Sequence, residues 1–223
     1  MIVVYTRCII IYFSYMCFSA TASFSASAAL GVIGVASIVK VKNKRELPLA
    51  AVPLIFALQQ FIEGLLWLSF YGFPHFTFSL TYIYLFFAFL WWPIYTPFVV
   101  YFLATHAWQK KIIAFIFAGG ILAGIWFYAL FILHPLSAQI VNKCVYYSSQ
   151  AGNNIVPVVL YLAAIIVPGF LLKKRIANIF SFIVGVSALI AWWFYSVSFA
   201  SVWCFFAAVL SFLIYFYISR KKT

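Results

Sequence analysis

PLAAVPLIFALQQFIEGLLWLSF, residues 48–70, decides the fold. A helix needs about 20 mostly apolar residues to cross the hydrocarbon core of a bilayer, and this run supplies them with one ionisable side chain, Glu63, inside it. Its apolar positions are continuous and do not alternate, so they cannot describe a strand of a membrane barrel. A helix satisfies its own backbone hydrogen bonds, as a segment in lipid must.

Six further runs read the same way. Spans are expected at Phe18–Val39, Pro48–Phe70, Phe78–Ala104, Ile112–Ile132, Ile155–Leu172, Ile176–Val197 and Ser201–Ile218. Only Ser198 to Ser201 separates the last two, which together are too long for one span, so a tight turn is expected there. The whole chain agrees. It has 223 residues, 68% hydrophobic, 22% aromatic and 7% charged, whereas soluble domains carry about 25% charged residues. The expected fold class is therefore all-α: a polytopic membrane protein, a bundle of seven transmembrane helices.

The basic residues orient it. Lys40, Lys42, Lys44 and Arg45 follow the first span, Lys110 and Lys111 the third, Lys173, Lys174 and Arg175 the fifth, and Arg220, Lys221 and Lys222 the seventh. Twelve of the 14 Lys and Arg thus fall in alternate loops, leaving Arg7 and Lys143 for the other side. The positive-inside rule puts the twelve in the cytoplasm, the N-terminus outside and the C-terminus inside. The expected location is the cell membrane, as a multi-pass protein of a bacterial inner membrane. The net charge of +12 reflects this clustering, and no nucleic-acid partner is expected. The partner implied is the lipid bilayer; oligomeric state is not readable.

Residues 1–15 form an apolar extension that runs straight into the first span. A continuous helix over Ile9–Val39 would be about 46 Å long, more than the bilayer core. Either 1–15 is interfacial or signal-like, or Met16 is the true start, which leaves 16–223 as a single transmembrane domain. The stretch Met16–Phe24, MCFSATASF, and the stretch Glu46–Leu68, ELPLAAVPLIFALQQFIEGLLWL, resemble an uncharacterised family of small bacterial multi-pass membrane proteins. Its members begin near a Cys-Phe-Ser motif and carry Gln-Gln-x-x-Glu-Gly in the second span. The resemblance implies seven spans and a start at Met16, and implies no activity.

Glu63 is the sharpest candidate for chemistry. It lies about 12 Å from the outer end of its helix. An ionised, unpaired acid there costs roughly 2.5–3.5 kcal/mol or more, so it should face the bundle interior and have partners. Gln59, Gln60 and Trp67 share its face at i−4, i−3 and i+4. Two readings stand: a site for a proton, a cation or another small ligand, or a neutral strut hydrogen-bonded to the two glutamines. A second group gathers toward the same end: Cys17, Ser19, His75 and His134, with Cys144 and Cys204. A disulfide among Cys17, Cys144 and Cys204 is conceivable in an oxidising compartment. No pair has a local metal-ligand spacing, so no metal site is assigned, and no cofactor is named.

Ser19, Ser23, Ser27 and Gly31 recur every four residues, and Gly120 and Gly124 make a GxxxG; both read as close-packing faces. Trp91, Trp92, Trp192 and Trp193 read as packing or as the lining of an aromatic pocket. The segment between Leu133 and Asn154 is the longest outside the spans and is placed to cap a pocket. The chain has no HExxH and no phosphate- or dinucleotide-binding glycine motif. It has no Asp for a Ser-His-Asp triad and no Lys in the last span for a retinal Schiff base.

Three functions remain open. The first is a small-solute or proton- or cation-linked transporter using Glu63. Spans one to three and five to seven have similar charge layouts, as parallel transporter repeats do. The second is a membrane sensor or assembly protein with an outward-facing ligand pocket. The third is an enzyme acting on outer-leaflet lipid, with Glu63, His75 or His134, and a Cys or Ser as its parts.

Overall fold

The computed structural model describes residues 19–141, 144–148, 154–195 and 198–220. The expected N-terminal extension lies outside them. Among these residues, eight α-helices, a π-helical turn and one hairpin follow in order: α1 (Ala20–Lys40), α2 (Leu47–Ser69), α3 (Thr77–Leu85), the π-helical turn (Phe86–Trp91), α4 (Trp92–Leu103), α5 (Ala107–Leu133), β1 (Ser137–Val141), β2 (Cys144–Ser148), α6 (Ile155–Phe170), α7 (Arg175–Tyr195) and α8 (Phe199–Arg220). Counting α3, the π turn and α4 as one continuous rod, six helices are long and apolar enough to cross a membrane, and α6 is a shorter apolar helix. At 16 residues, α6 is about 24 Å long, less than the roughly 30 Å of the hydrocarbon core. The chain is an all-α polytopic protein built for a bilayer.

Side-chain ties hold the Lys- and Arg-rich helix ends together. Lys40 Nζ donates to Tyr215 Oη at 2.7 Å and to Ser219 Oγ at 3.3 Å, joining α1 to α8. Gln109 accepts from the backbone N–H of His106 and donates through Nε2 to the Leu171 carbonyl at 2.6 Å. One buried amide thereby caps the start of α5 and the end of α6, satisfying helix-end groups that have no partner within the helix. Lys173 takes a φ of 37°, a left-handed residue that turns the chain sharply into α7.

Small residues set the close approaches. In α1, Ser23 is buried and Ser27 Oγ donates to the Ala57 carbonyl at 2.8 Å. A Cβ at Gly34 would sit 2.7 Å from the Leu54 backbone. Ser27 of the expected stripe, and Gly34 beyond it, thus pack against α2.

The π turn explains the tryptophan–proline run. The Trp92 N–H reaches back to the Phe87 carbonyl, and Pro93 has no N–H with which to continue that series to Ala88. The Tyr161 hydroxyl of α6 donates to the Ala88 carbonyl instead, at 2.7 Å. The wider turn lies on the GxxxG of α5: a Cβ at Gly120 would sit 2.1 Å from the Pro93 carbonyl oxygen, and one at Gly124 would sit 3.2 Å from Leu90 Cα.

The segment expected as a plain loop forms an antiparallel hairpin, with Ser137 opposite Ser148 and Val141 opposite Cys144. Periodicity could not announce it, because each strand has only five residues. Tyr82 Oη anchors its approach, donating to the Phe131 carbonyl at 2.7 Å and accepting from Leu136 N at 3.2 Å. Cys144 and Val145 are buried against the bundle, so the hairpin plugs the end opposite the basic clusters.

Candidate functional site

Glu63 is 1% exposed, and its two carboxyl oxygens have different partners. Gln60 Nε2 donates to Oε2 at 3.1 Å, one turn back on α2. Ser201 Oγ, in the first turn of α8, donates to Oε1 in a short contact. Among the described residues no cation stands beside the carboxyl. Gln59, also fully buried, accepts from Trp92 Nε1 at 2.6 Å across the bundle. Through Gln59 and Glu63, α2 thus engages two other helices, α4 and α8.

The surround is aromatic and thiol-bearing. Tyr84 of α3 stacks on Tyr147 of β2, centroids 5.5 Å apart and planes at 11°. Both hydroxyls and the Cys204 thiol lie close enough to Glu63 to sense its charge. Tyr147 lies on the hairpin, outside the spans. Burial pushes its pKa well up, and the neighbouring carboxyl and thiol add to that, so its hydroxyl keeps its proton.

The cluster is not saturated. Among the described residues, Gln60 Oε1, Trp67 Nε1 and Tyr147 Oη are buried with no hydrogen-bond partner, and Gln59 Nε2 has only the Cys204 thiol, a weak acceptor, beside it. Each such group costs about 1–3 kcal/mol. Structural cores avoid that cost, and sites that exchange protons or ligands tolerate it.

The other predicted residues separate from this cluster. Ser19 caps α1, accepting from Ala22 N at 3.2 Å. His75 and His134 are exposed and do not join Glu63. Cys17 lies outside the described residues. Cys144 and Cys204 are buried thiols that are not joined to one another. Among the described residues no three of His, Cys, Asp and Glu gather in one place. Gly64, beside Glu63, admits the Phe24 ring, 2.7 Å from where a Cβ would lie. Trp192 and Trp193 are 62% and 74% exposed on the surface of α7.

A cavity of about 580 Å³ lies on the other side of the cluster. Trp92, Trp203 and Cys204 line its deep end, while Lys174, Tyr217 and Arg220 line the end near the basic clusters. Trp92 and Cys204 therefore face the cavity and also touch the Gln59–Glu63 group. The hairpin packs on the end of the bundle under the 133–154 segment, and this cavity extends toward the opposite, basic end.

Sequence reasoning found Glu63, Gln59, Gln60 and Trp67 on one helical face. It missed Ser201, Cys204, Tyr84, Tyr147 and Trp92 as their surroundings. One signal was available for two of them. Ser201, Cys204, Ala208 and Ser211 form a small-residue stripe along α8, and all four are buried.

These features define a class: an apolar helical membrane protein with a buried carboxyl cluster at the closed end of an internal cavity. The chain belongs to DUF6629, a family of unknown function, and the match covers residues 16–223. Both stretches that carried the family resemblance, Met16–Phe24 and Glu46–Leu68, fall inside it. No curated protein and no solved structure matches the chain.

Proposed function

We propose that this protein is a carrier of the cell membrane that moves a small or amphipathic solute and couples the movement to protonation of Glu63. In this reading all seven helices are spans, the short α6 included, and the basic clusters face the cytoplasm. One observation carries the proposal: a fully buried, incompletely paired carboxyl cluster stands at the closed end of a cavity and shares two side chains, Trp92 and Cys204, with its wall.

The chemistry follows from that arrangement. Protonating Glu63 turns one carboxyl oxygen from an acceptor into a donor. Oε1 then no longer needs the Ser201 hydroxyl, and the tie between α2 and α8 is released or re-formed. Because Trp92 and Cys204 belong to both cluster and cavity, that exchange is felt by whatever occupies the cavity. A charge change at a bistable helix contact is the general form of such a switch.

Solid-supported membrane electrophysiology tests this with protein in liposomes. Amino acids, organic acids, nucleosides and single-chain lipids would be applied in turn. At least one class should give a proton-linked current, and Glu63→Gln should reduce it at least tenfold while leaving the protein folded. Currents unchanged in Glu63→Gln, or none from any class, would overturn the proposal. Of the parts named for the enzyme reading, His75 and His134 are exposed and stand apart from Glu63.

A further inference from the structure

We infer that the cavity takes a single-chain lipid with an anionic head, drawn sideways from the basic-side leaflet between α7 and α8. This rests on reading the cavity as the solute site.

Three observations converge. First, the interior is apolar and long. Measured along α8, Cys204 to Arg220 is about 24 Å, more than half the roughly 30 Å hydrocarbon core. The volume of about 580 Å³ is enough for one extended acyl chain. Phe56, Ile165, Phe180, Val184 and Ala207 offer the chain hydrocarbon and aromatic surface.

Second, among the described residues the charged side chains on the wall are both cations. Lys174 and Arg220 lie at the end where a lipid head would sit. Among the described residues neither has an acidic partner, and the whole chain has only two acids. Arg presents a planar donor fork that matches phosphate or carboxylate oxygens, and basic pockets between membrane helices at this level bind anionic heads. A free soluble anion would leave the long apolar interior unused, so the head and chain belong to one molecule.

Third, the wall is open toward lipid. Ile176 and Ile179 of α7 and Leu213 and Phe216 of α8 all line the cavity and are 40–47% exposed. A lipid therefore enters by sliding between the two helices, its head passing along the basic rim, with no need to leave the bilayer.

Native mass spectrometry of the full-length protein in neutral detergent tests this. Lysophosphatidylglycerol and lysophosphatidylcholine of identical chain would be offered at equal concentration. The wild type should retain the anionic lipid at least tenfold more strongly. Lys174→Glu/Arg220→Glu should abolish the preference, and Ala207→Trp, which fills the apolar interior with the rim intact, should abolish retention of both lipids. No retention by the wild type, equal retention of the two heads, or an unchanged preference in the rim variant would overturn the inference. Its failure is separable from that of the carrier: proton-linked currents from a soluble solute would keep the carrier and discard the lipid. Lipid bound with full selectivity, alongside currents indifferent to Glu63→Gln, would do the reverse.

Discussion

Glu63→Ala is expected to destabilise the bundle by about 2–4 kcal/mol, an effect far larger than its single lost carboxyl suggests. The alanine leaves Gln60 Nε2 and the Ser201 hydroxyl without their acceptor, in a site where Gln60 Oε1, Trp67 Nε1 and Tyr147 Oη already lack a partner among the described residues. Each newly stranded group costs about 1–3 kcal/mol. Interhelical hydrogen bonds in membranes average only about 0.6 kcal/mol when the freed groups find other partners; here the neighbours are mainly aromatic rings and a thiol. Ser201→Ala alone should cost about 1 kcal/mol, since Glu63 keeps Gln60. In a double-mutant cycle, unfolding in mixed micelles should give a coupling of about 0.5–3 kcal/mol between the two positions. Additive effects would mean that the α2–α8 tie does not exist.

The second large effect is at Gly120, where valine should cost about 3 kcal/mol, the upper end of ordinary overpacking. The atom it meets is the Pro93 carbonyl oxygen, 2.1 Å from the new Cβ. That backbone cannot step aside easily, because the proline ring fixes its φ and Tyr161 holds the adjacent turn through Ala88. Gly119 is the internal control: a Cβ there meets only the Leu160 side-chain tip, at 3.4 Å. Gly119→Ala should therefore stay within about 0.5 kcal/mol of wild type. Thermal unfolding in one detergent compares the pair directly, and equal losses at both positions would contradict the packing of α5 on the π turn.

What the sequence made legible follows from how lipid acts on a chain. A bilayer demands long, continuous apolar runs, so seven helices could be placed from residue pattern alone. The largest boundary error was at the start of α5, where Trp108, Lys110 and Lys111 look like a loop and are helical. The Ser198 break between the last two runs was also readable, with α7 ending at Tyr195 and α8 beginning at Phe199. Within one helix, spacing reveals neighbours, and Glu63 could be joined to Gln59, Gln60 and Trp67 because they share a turn. Contacts between helices leave no such trace. Ser201 is 138 positions from Glu63, and nothing local in either segment names the other. The π turn was hidden for a different reason: it is the joint product of Pro93 and of Tyr161, on a separate helix. The hairpin was hidden because lipid does not shape it, and it forms by packing on the bundle end.

The central claim is that Glu63 changes protonation as part of its work, and infrared difference spectroscopy reads that carboxyl directly. The protein in nanodiscs would be titrated by pH, and the Glu63→Gln spectrum subtracted to isolate the Glu63 band. A group that couples a carrier to protons must exchange them near the working pH, so the band is predicted to grow and fade reversibly between about pH 5 and 8. A band unchanged across that range would contradict the account and leave Glu63 as a fixed hydrogen-bonded strut between α2 and α8.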